Sequence, residues 1–584
     1  MLAGRRPQGI GTEVRLGVVA EFFQNPVWPS FNWRKRLRVL LIYPIFPTSF
    51  WSFEKTIELL GRKAMLPPLG LVTVAAILPQ EWEFKLVDRN IRAVTEEEWA
   101  WADMVMLSAM IVQREDFHDQ IREAKRRGKP VAVGGPYPTA LYEEAQISGA
   151  DFYVLDEGEI TIPSFLDALA RGETKGTFRS GGDKPDVTLT PIPRYDLLQL
   201  DQYAQMSIQF SRGCPFMCEF CDIIVLYGRK PRTKASPQTI AELQRLYDLG
   251  WRRSVFVVDD NFIGNKKNVK VLLDDLLPWM QEKGFPFSFA TEASVDLAQD
   301  QDLMDKMVQC NFGAVFLGIE TPDTDSLKLT KKTQNNRDPL DESIEKISRS
   351  GLRIMAGFII GFDNEKPGAG QRIVDFVEKT SIPTATFSML QALPDTGLSK
   401  RLAAAGRLLD DGLGGGDINQ TTLMNFIPTR PMEQIAREFV DGFWVLYDPV
   451  KYLDRTYRHF MMFKDVKFPR KPAWARGEPD PFAKRSMRVV MWRQGVVRKS
   501  RWKFWLRLYQ MYRHNPGGIG SYLSTCAQAE HFLSYRELVR KEIKEQLSKR
   551  LTIHSEVSDG TPKRVDGKLS LNVIPEEPVA CGRD

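Results

Sequence analysis

Cys214, Cys218 and Cys221 stand at C-x3-C-x2-C spacing in Arg212-Gly213-Cys214-Pro215-Phe216-Met217-Cys218-Glu219-Phe220-Cys221, directly after the strand-like run Met206 to Phe210. A loop of this kind can turn three thiolates toward one inorganic group. Clusters of the 4Fe–4S type normally take four cysteines. Three leave one iron with an open position, where a small molecule can bind and react. A structural zinc ion asks for four ligands, and the nearest histidines along the chain, His118 and His459, are remote in sequence. A disulfide needs an oxidising compartment, and no secretory signal precedes the motif. Arg5-Arg6 is followed by Pro7, Gly9, Gly11 and Glu13 where an export signal needs an apolar segment. The other cysteines, Cys310, Cys526 and Cys581, are scattered and read as buried or tail thiols.

The elements that must position this loop follow from apolar patterning. The chain has 584 residues, enough for two to four domains, and a formal net charge of +6, too small to call for nucleic acid. No uninterrupted apolar run is long enough to span a bilayer, and the expected location is cytoplasmic. Residues 1–36 lack a clear period and read as an extension. Over 37–170, apolar strands at Arg38–Tyr43, Phe84–Asp88, Met104–Ser108, Val131–Gly135 and Phe152–Leu155 alternate with helices at Leu71–Leu78 and Asp119–Arg127. That alternation predicts a parallel doubly wound sheet, whose ligands bind beyond the carboxyl ends of the strands. Residues 171–205, rich in Gly, Asp and Pro, read as a linker.

From 206 to 400, six strand-plus-helix units predict an incomplete (β/α)6 barrel. The strands are Met206–Phe210, Ser254–Val258, Pro286–Thr291, Gly313–Ile319, Arg353–Ile360 and Thr384–Met389. Chemistry on such a barrel sits at the carboxyl ends, and polar residues concentrate there: Asp259-Asp260-Asn261, Glu292, Glu320, and Gly357 to Glu365. Residues 401–549 read as mainly helical, including Met432–Tyr447 and Ser524–Leu547. The stretch Val496 to Arg513 interleaves arginine and lysine with Phe504, Trp505, Leu506, Leu508, Tyr509 and Tyr512; Trp474, Trp492 and Trp502 lie in the same basic region. Such a pattern suits a membrane surface, a nucleic-acid patch or a solvated helix capping the barrel. Residues 550–584 read as a disordered tail.

The cysteine spacing, with an aromatic Phe220 before the last cysteine, closely resembles the signature of the radical S-adenosylmethionine superfamily. The preceding sheet, with Pro67-Pro68-Leu69-Gly70-Leu71, Gly134-Gly135-Pro136-Tyr137-Pro138-Thr139 and Asp156-Glu157-Gly158-Glu159, resembles its cobalamin-binding members. The stretches Ser49-Phe50-Trp51-Ser52-Phe53, Leu86-Val87-Asp88-Arg89-Asn90 and Cys221-Asp222-Ile223-Ile224-Val225 look most like the branch containing hopanoid C-2 methylase. The resemblance covers residues 38 to roughly 545 and implies a 4Fe–4S cluster on Cys214, Cys218 and Cys221, S-adenosylmethionine on the open iron, and cobalamin. It places Asp259, Asp260 and Asn261 near the ammonium of S-adenosylmethionine, Glu292 near its ribose, and Glu320 at the next strand end. Gly357, Ile359, Gly361 and Glu365 match a G-x-I-x-G-x-x-x-E pattern near adenine.

Many members of that family have histidine where Tyr137 stands, and the D-x-H-x-x-G motif of classical cobalamin domains is missing. No histidine from the loop Pro44–Phe50 can therefore ligate cobalt, and His118 reads as an ordinary helix residue. The implied activity is a cobalamin-dependent radical methyltransferase acting on an unactivated carbon of a small hydrophobic substrate such as a hopanoid-type lipid. It would draw electrons from a flavodoxin or ferredoxin, with a peripheral membrane contact and no nucleic-acid partner. Two other readings stand beside it. One is a radical enzyme that cyclises or otherwise modifies a tetrapyrrole. The other is a non-enzymatic basic nucleotide- or RNA-binding protein with an incidental cysteine cluster.

Overall fold

The computed structural model describes residues 36–409, 421–469 and 481–558. The expectations for Trp474, Cys581, residues 1–35 and the end of the tail lie outside the described residues.

The first domain begins with β1 (Arg38–Tyr43), followed by α1 (Glu54–Leu59), α2 (Leu69–Ile77), β2 (Glu83–Asp88), β3 (Met104–Ser108), α3 (Arg114–Arg126), β4 (Val131–Gly134), β5 (Phe152–Val154), α4 (Gly158–Ala170) and β6 (Gly176–Phe178). The strands form one parallel sheet in the order β2-β1-β3-β4-β5-β6. Alternate residues of β1 feed different apolar layers: Leu40 and Ile42 one face, Val39 and Leu41 the other. Burial on both faces is why these strands read as unbroken apolar runs. β6 comes from the stretch that reads as linker. Its three residues extend the sheet edge by pairing Thr177 with Tyr153, too short a segment to leave a period in the sequence.

The second domain starts with β7 (Met206–Ile208) and a two-residue β8 (Ser211–Arg212) that pairs antiparallel with β9 (Arg232–Thr233). Then come α5 (Ser236–Asp248), β10 (Ser254–Val257), α6 (Lys266–Glu282), β11 (Ser288–Ala293), α7 (Gln301–Gln309), β12 (Phe312–Glu320), α8 (Leu340–Ser350), β13 (Arg353–Ile360), α9 (Ala369–Thr380) and β14 (Thr384–Met389). The larger strands make a parallel sheet in strictly sequential order, β14-β13-β12-β11-β10-β7. Sequential parallel order with helices between the strands is the topology of a (β/α) barrel left open between its first and last strands.

The third region is helical: α10 (Met432–Leu446), α11 (Pro449–Met461), α12 (Pro481–Trp492), α13 (Arg501–His514) and α14 (Ile519–Ser558). α14 runs past residue 549, where the sequence reading ends the helical domain. Cys310 and Cys526 are buried thiols, as expected. No helix among the described residues is long and apolar enough to cross a membrane.

The helical region reaches back to the first domain. Phe50, fully buried in the loop after β1, stacks on Phe532 of α14 at 4.7 Å between ring centroids. It also meets Phe443, Tyr447 and Tyr535. His531 Nε2 lies 3.0 Å from the Ser49 carbonyl oxygen and 3.1 Å from that of Phe50, so this nitrogen carries the proton and donates to them. Phe50→Ala leaves a cavity in this aromatic cluster and should cost about 3–5 kcal/mol, read as a lower denaturant midpoint.

Candidate functional site

The cysteine loop is held at its ends, its middle and its base. At the ends, Ser211 and Arg212 pair with Thr233 and Arg232. Gly213 takes φ +92°, and a Cβ there would lie 2.8 Å from the Gly228 carbonyl oxygen, so only glycine makes this entry turn. In the middle, the Glu219 amide donates to the Thr330 carbonyl, and the Glu219 carboxylate pairs with Arg401 at 2.7 Å. At the base, the buried Asp259 carboxylate accepts hydrogen bonds from the amides of Phe210 and Ser211, both at 2.7 Å, and from Ser211 Oγ at 2.6 Å.

Asp259 is therefore spent on the strand that launches the loop and does not line the cavity. The expectation that it faces a ligand is corrected: successive strand-end side chains point to opposite sides, and the cavity side falls to Asp260.

The three sulfurs lie in a partly enclosed setting. Asn261 Nδ2 donates to Cys214 Sγ and Gln334 Nε2 to Cys218 Sγ, each at 3.8 Å. Among the described residues no group of three Cys, His, Asp or Glu side chains could hold a single metal ion. Burial pushes the Cys214 and Cys221 thiols up, so each favours its protonated form until positive charge at the sulfur stabilises the thiolate. Lys332 supplies positive charge at the edge. Its ammonium pairs with Glu320 and lies 5.9 Å from the centre of the Phe220 ring. Burial acts to lower its pKa, but Glu320 and the facing Cys218 and Cys221 outweigh that and raise it.

Other strand-end residues are used within the protein rather than opened to a ligand. Glu320 is committed to Lys332. Glu365 accepts from the Gly361 amide and from Arg430, both at 2.9 Å, closing the turn after β13. Gly357 makes room for the Phe316 ring, which a Cβ would meet at 2.8 Å. Ile359 is half-buried in β13.

Asp260 and Glu292 behave differently. Asp260 Oδ2 is buried without a partner among the described residues. Burial, reinforced by neighbouring acids, pushes Asp260 up to about 7 and Glu292 up to about 8. Two enclosed carboxyls without a counter-cation form a site complementary to a cationic ligand that also brings hydrogen-bond donors.

Asp260 opens into a cavity of about 920 Å³, toward the upper end for small-molecule sites. One wall comes from the first sheet: Tyr43, Ser108, Gly134 and Asp156 at the strand ends, with Leu71 and Val74 of α2. The other comes from the barrel: Ser207, Gln209, Val258 and Asp260. The carboxyl ends of two separate sheets thus share one chamber. No histidine lines it among the described residues. His118 is occupied elsewhere, its ring nitrogens lying 2.5 Å from Ser148 Oγ and 2.8 Å from the Tyr137 hydroxyl.

An ion cluster joins the two walls. Arg212 pairs with Glu157 and Glu159, and Arg232 with Glu157, each at 2.8 Å. Burial acts to raise the Glu159 pKa, but the Arg212 guanidinium overcomes it and holds the carboxyl down at about 2. Sequence reading missed Arg212, Arg232, Lys332 and Gln334. Arg212 had a signal, as the residue two before the first cysteine; Lys332 resembles part of a solvated Lys331-Lys332 pair.

Residues 59–166 match the B12 binding domain family, 208–377 the Radical SAM superfamily, and 396–545 a domain of unknown function, DUF4070. An uncharacterized methyltransferase of Synechocystis sp. is 62% identical over 88% of this chain and 94% of its own length. Hopanoid C-2 methylase of Rhodopseudomonas palustris is 35% identical over 85% of this chain and 93% of its own. The chain belongs to the cobalamin-binding radical S-adenosylmethionine enzymes. It is a cobalamin-dependent radical S-adenosylmethionine methyltransferase, and its cofactors are cobalamin, S-adenosylmethionine and a 4Fe–4S cluster. The fold is shared with the cobalamin-dependent S-adenosylmethionine radical enzyme OxsB, solved with aqua-cobalamin and S-adenosylmethionine bound. That likeness has a TM-score of 0.54 and 16% identity, over 91% of this chain and 82% of that one.

Removing Arg212 would strand the enclosed Glu159 carboxylate, while Glu157 keeps Arg232. Arg212→Ala should lower stability by about 3–5 kcal/mol. Glu159 is depressed in the folded state from an ordinary value of 4.5 to about 2. Its contribution is complete above pH 4.5 and disappears as pH falls toward 2. Denaturation measured across that window should show this acid-dependent loss in the native chain and not in Arg212→Ala.

Proposed function

We propose that the enzyme methylates an unactivated carbon of a polycyclic, hopanoid-type lipid. The observation carrying this reading is the shared chamber: its walls are mainly apolar, and it lies between the sheet matched to B12 binding and the barrel strand ends beside the cysteine loop. The similarity to hopanoid C-2 methylase along nearly its whole length supports the substrate class.

In this reading Cys214, Cys218 and Cys221 hold the cluster, with Phe220 packed beside it. Asn261 and Gln334 donate to its sulfur ligands, and Lys332 offsets its negative charge. Asp260 and Glu292 receive the ammonium and ribose of S-adenosylmethionine; Asp259, Glu320, Gly357, Gly361 and Glu365 keep the strand ends in shape around it. When bound, the cluster and S-adenosylmethionine supply a carbon-centred radical that takes hydrogen from the substrate, and cobalamin supplies the methyl group. The protein excludes water from the chamber and fixes the distance between its walls. A flavodoxin or ferredoxin is the expected electron source.

Reduced, cobalamin-loaded enzyme given a pentacyclic triterpenoid and S-adenosylmethionine with a deuterated methyl should yield a product bearing one labelled methyl. Equal amounts of 5′-deoxyadenosine and S-adenosylhomocysteine should accompany it, and Cys214→Ala should abolish all three. A tetrapyrrole converted without gain of carbon, with the triterpenoid left untouched, would overturn this assignment.

Asp260→Asn should weaken S-adenosylmethionine binding to the cluster-loaded protein by about ten- to a hundredfold, the worth of one hydrogen bond to a charged group. Titration calorimetry under anaerobic conditions measures this, and an unchanged affinity would remove Asp260 from the site.

A further inference from the structure

The region matched to DUF4070 has a surface that the chamber does not explain. On α13, Phe504 and Met511 are buried against Leu453, Phe460 and Tyr522. Trp502, Trp505, Leu506, Tyr509, Tyr512 and Arg513 follow at helical spacing on the opposite side. That side is exposed: Trp502 74%, Tyr512 66% and Tyr509 61%. The end of α12 and the segment leading into α13 add Trp492 at 61% and Val497 at 61%. Single exposed apolar residues are ordinary, but a continuous aromatic stripe marks an interaction surface.

The charge around the stripe has one sign. Residues 481–529 contain ten lysines and arginines and no aspartate or glutamate. Arg493 and Arg498 are paired with Glu530, and Lys503 and Arg507 with Asp454. Exposed Lys499, Arg501 and Arg513 have no ion pair among the described residues, and they flank the aromatic side chains.

We propose that this face docks the enzyme onto an anionic lipid bilayer, with Trp502, Tyr509 and Tyr512 seated at the headgroup level and Lys499, Arg501 and Arg513 on the lipid phosphates. Indole and phenol rings favour that boundary, and basic side chains beside them are attracted to anionic lipid. The position of the face supports the same occupant. Ser486 of α12 donates to the Leu59 carbonyl at the end of α1, and Glu54 and Ile57 of α1 line the chamber. The docking region thus touches the chamber wall, as delivery of a membrane-dissolved substrate requires. The proposal deepens the lipid reading above, and its test reads binding rather than methylation.

Full-length, cofactor-loaded protein is floated with vesicles of phosphatidylglycerol and phosphatidylcholine, or of phosphatidylcholine alone, both free of triterpenoid. Binding should require phosphatidylglycerol and weaken with salt. Trp502→Ser/Tyr509→Ser/Tyr512→Ser should reduce it at least tenfold while leaving the melting temperature nearly unchanged. Lys499→Glu/Arg501→Glu/Arg513→Glu should reduce it by about a hundredfold or more. Should the serine variant misfold, hydrogen exchange on the native protein decides: vesicles should slow amide exchange over residues 492–513 and not over α5.

No vesicle binding, or binding that both variants retain, would overturn the proposal. Capture of a single-stranded RNA oligonucleotide through these residues without vesicle binding would overturn it in favour of nucleic acid. A dimer dissolved by the serine variant, again without vesicle binding, would overturn it in favour of self-association. Methylation without vesicle binding would sink this inference and leave the substrate assignment standing.

Discussion

Two sheets become one site through the buried charges of Arg212, Arg232, Glu157 and Glu159. The acids start the helix that follows β5; the arginines sit on the short ribbon that brackets the cysteine loop. A hydrophobic contact would hold the domains together but allow sliding, because apolar attraction has little direction. Paired guanidinium and carboxylate groups have a preferred geometry. Buried ion pairs add little net stability over apolar replacements, and their best-attested use is to fix register. Here the register being fixed is the separation of two sets of strand ends across a chamber of about 920 Å³.

Charge around the chamber and the cysteine loop is partitioned. Arginine and glutamate neutralise each other at the wall, and Lys332 and Glu320 do so beside the cysteines. Asp260 and Glu292 have no ion pair among the described residues, and burial drives both toward the protonated state. An enzyme that must receive a cationic cosubstrate benefits from this imbalance, because the ligand supplies the missing charge.

Much of this was legible in the sequence, for physical reasons. Strands buried on both faces write themselves as apolar runs, so Arg38–Tyr43 and Arg353–Ile360 are legible with their bounds intact. The cysteine spacing carried its chemistry openly. β6 was lost because a three-residue edge strand needs no pattern. The roles of Asp259 and Glu365 were not readable, because an acid at a strand end faces a ligand or the backbone depending on a single residue of offset. Lys332 was invisible because its meaning comes from Glu320 and Phe220, which only the folded chain brings to it.

The contact of His531 with the carbonyls of Ser49 and Phe50 joins positions 482 and 481 residues apart. A ribosome releases the first sheet long before it makes α14, so that sheet can take shape early while the segment beside its ligand chamber still lacks its clasp. A chain cut before α14 would carry the cysteines and both sheets yet leave this segment unfastened.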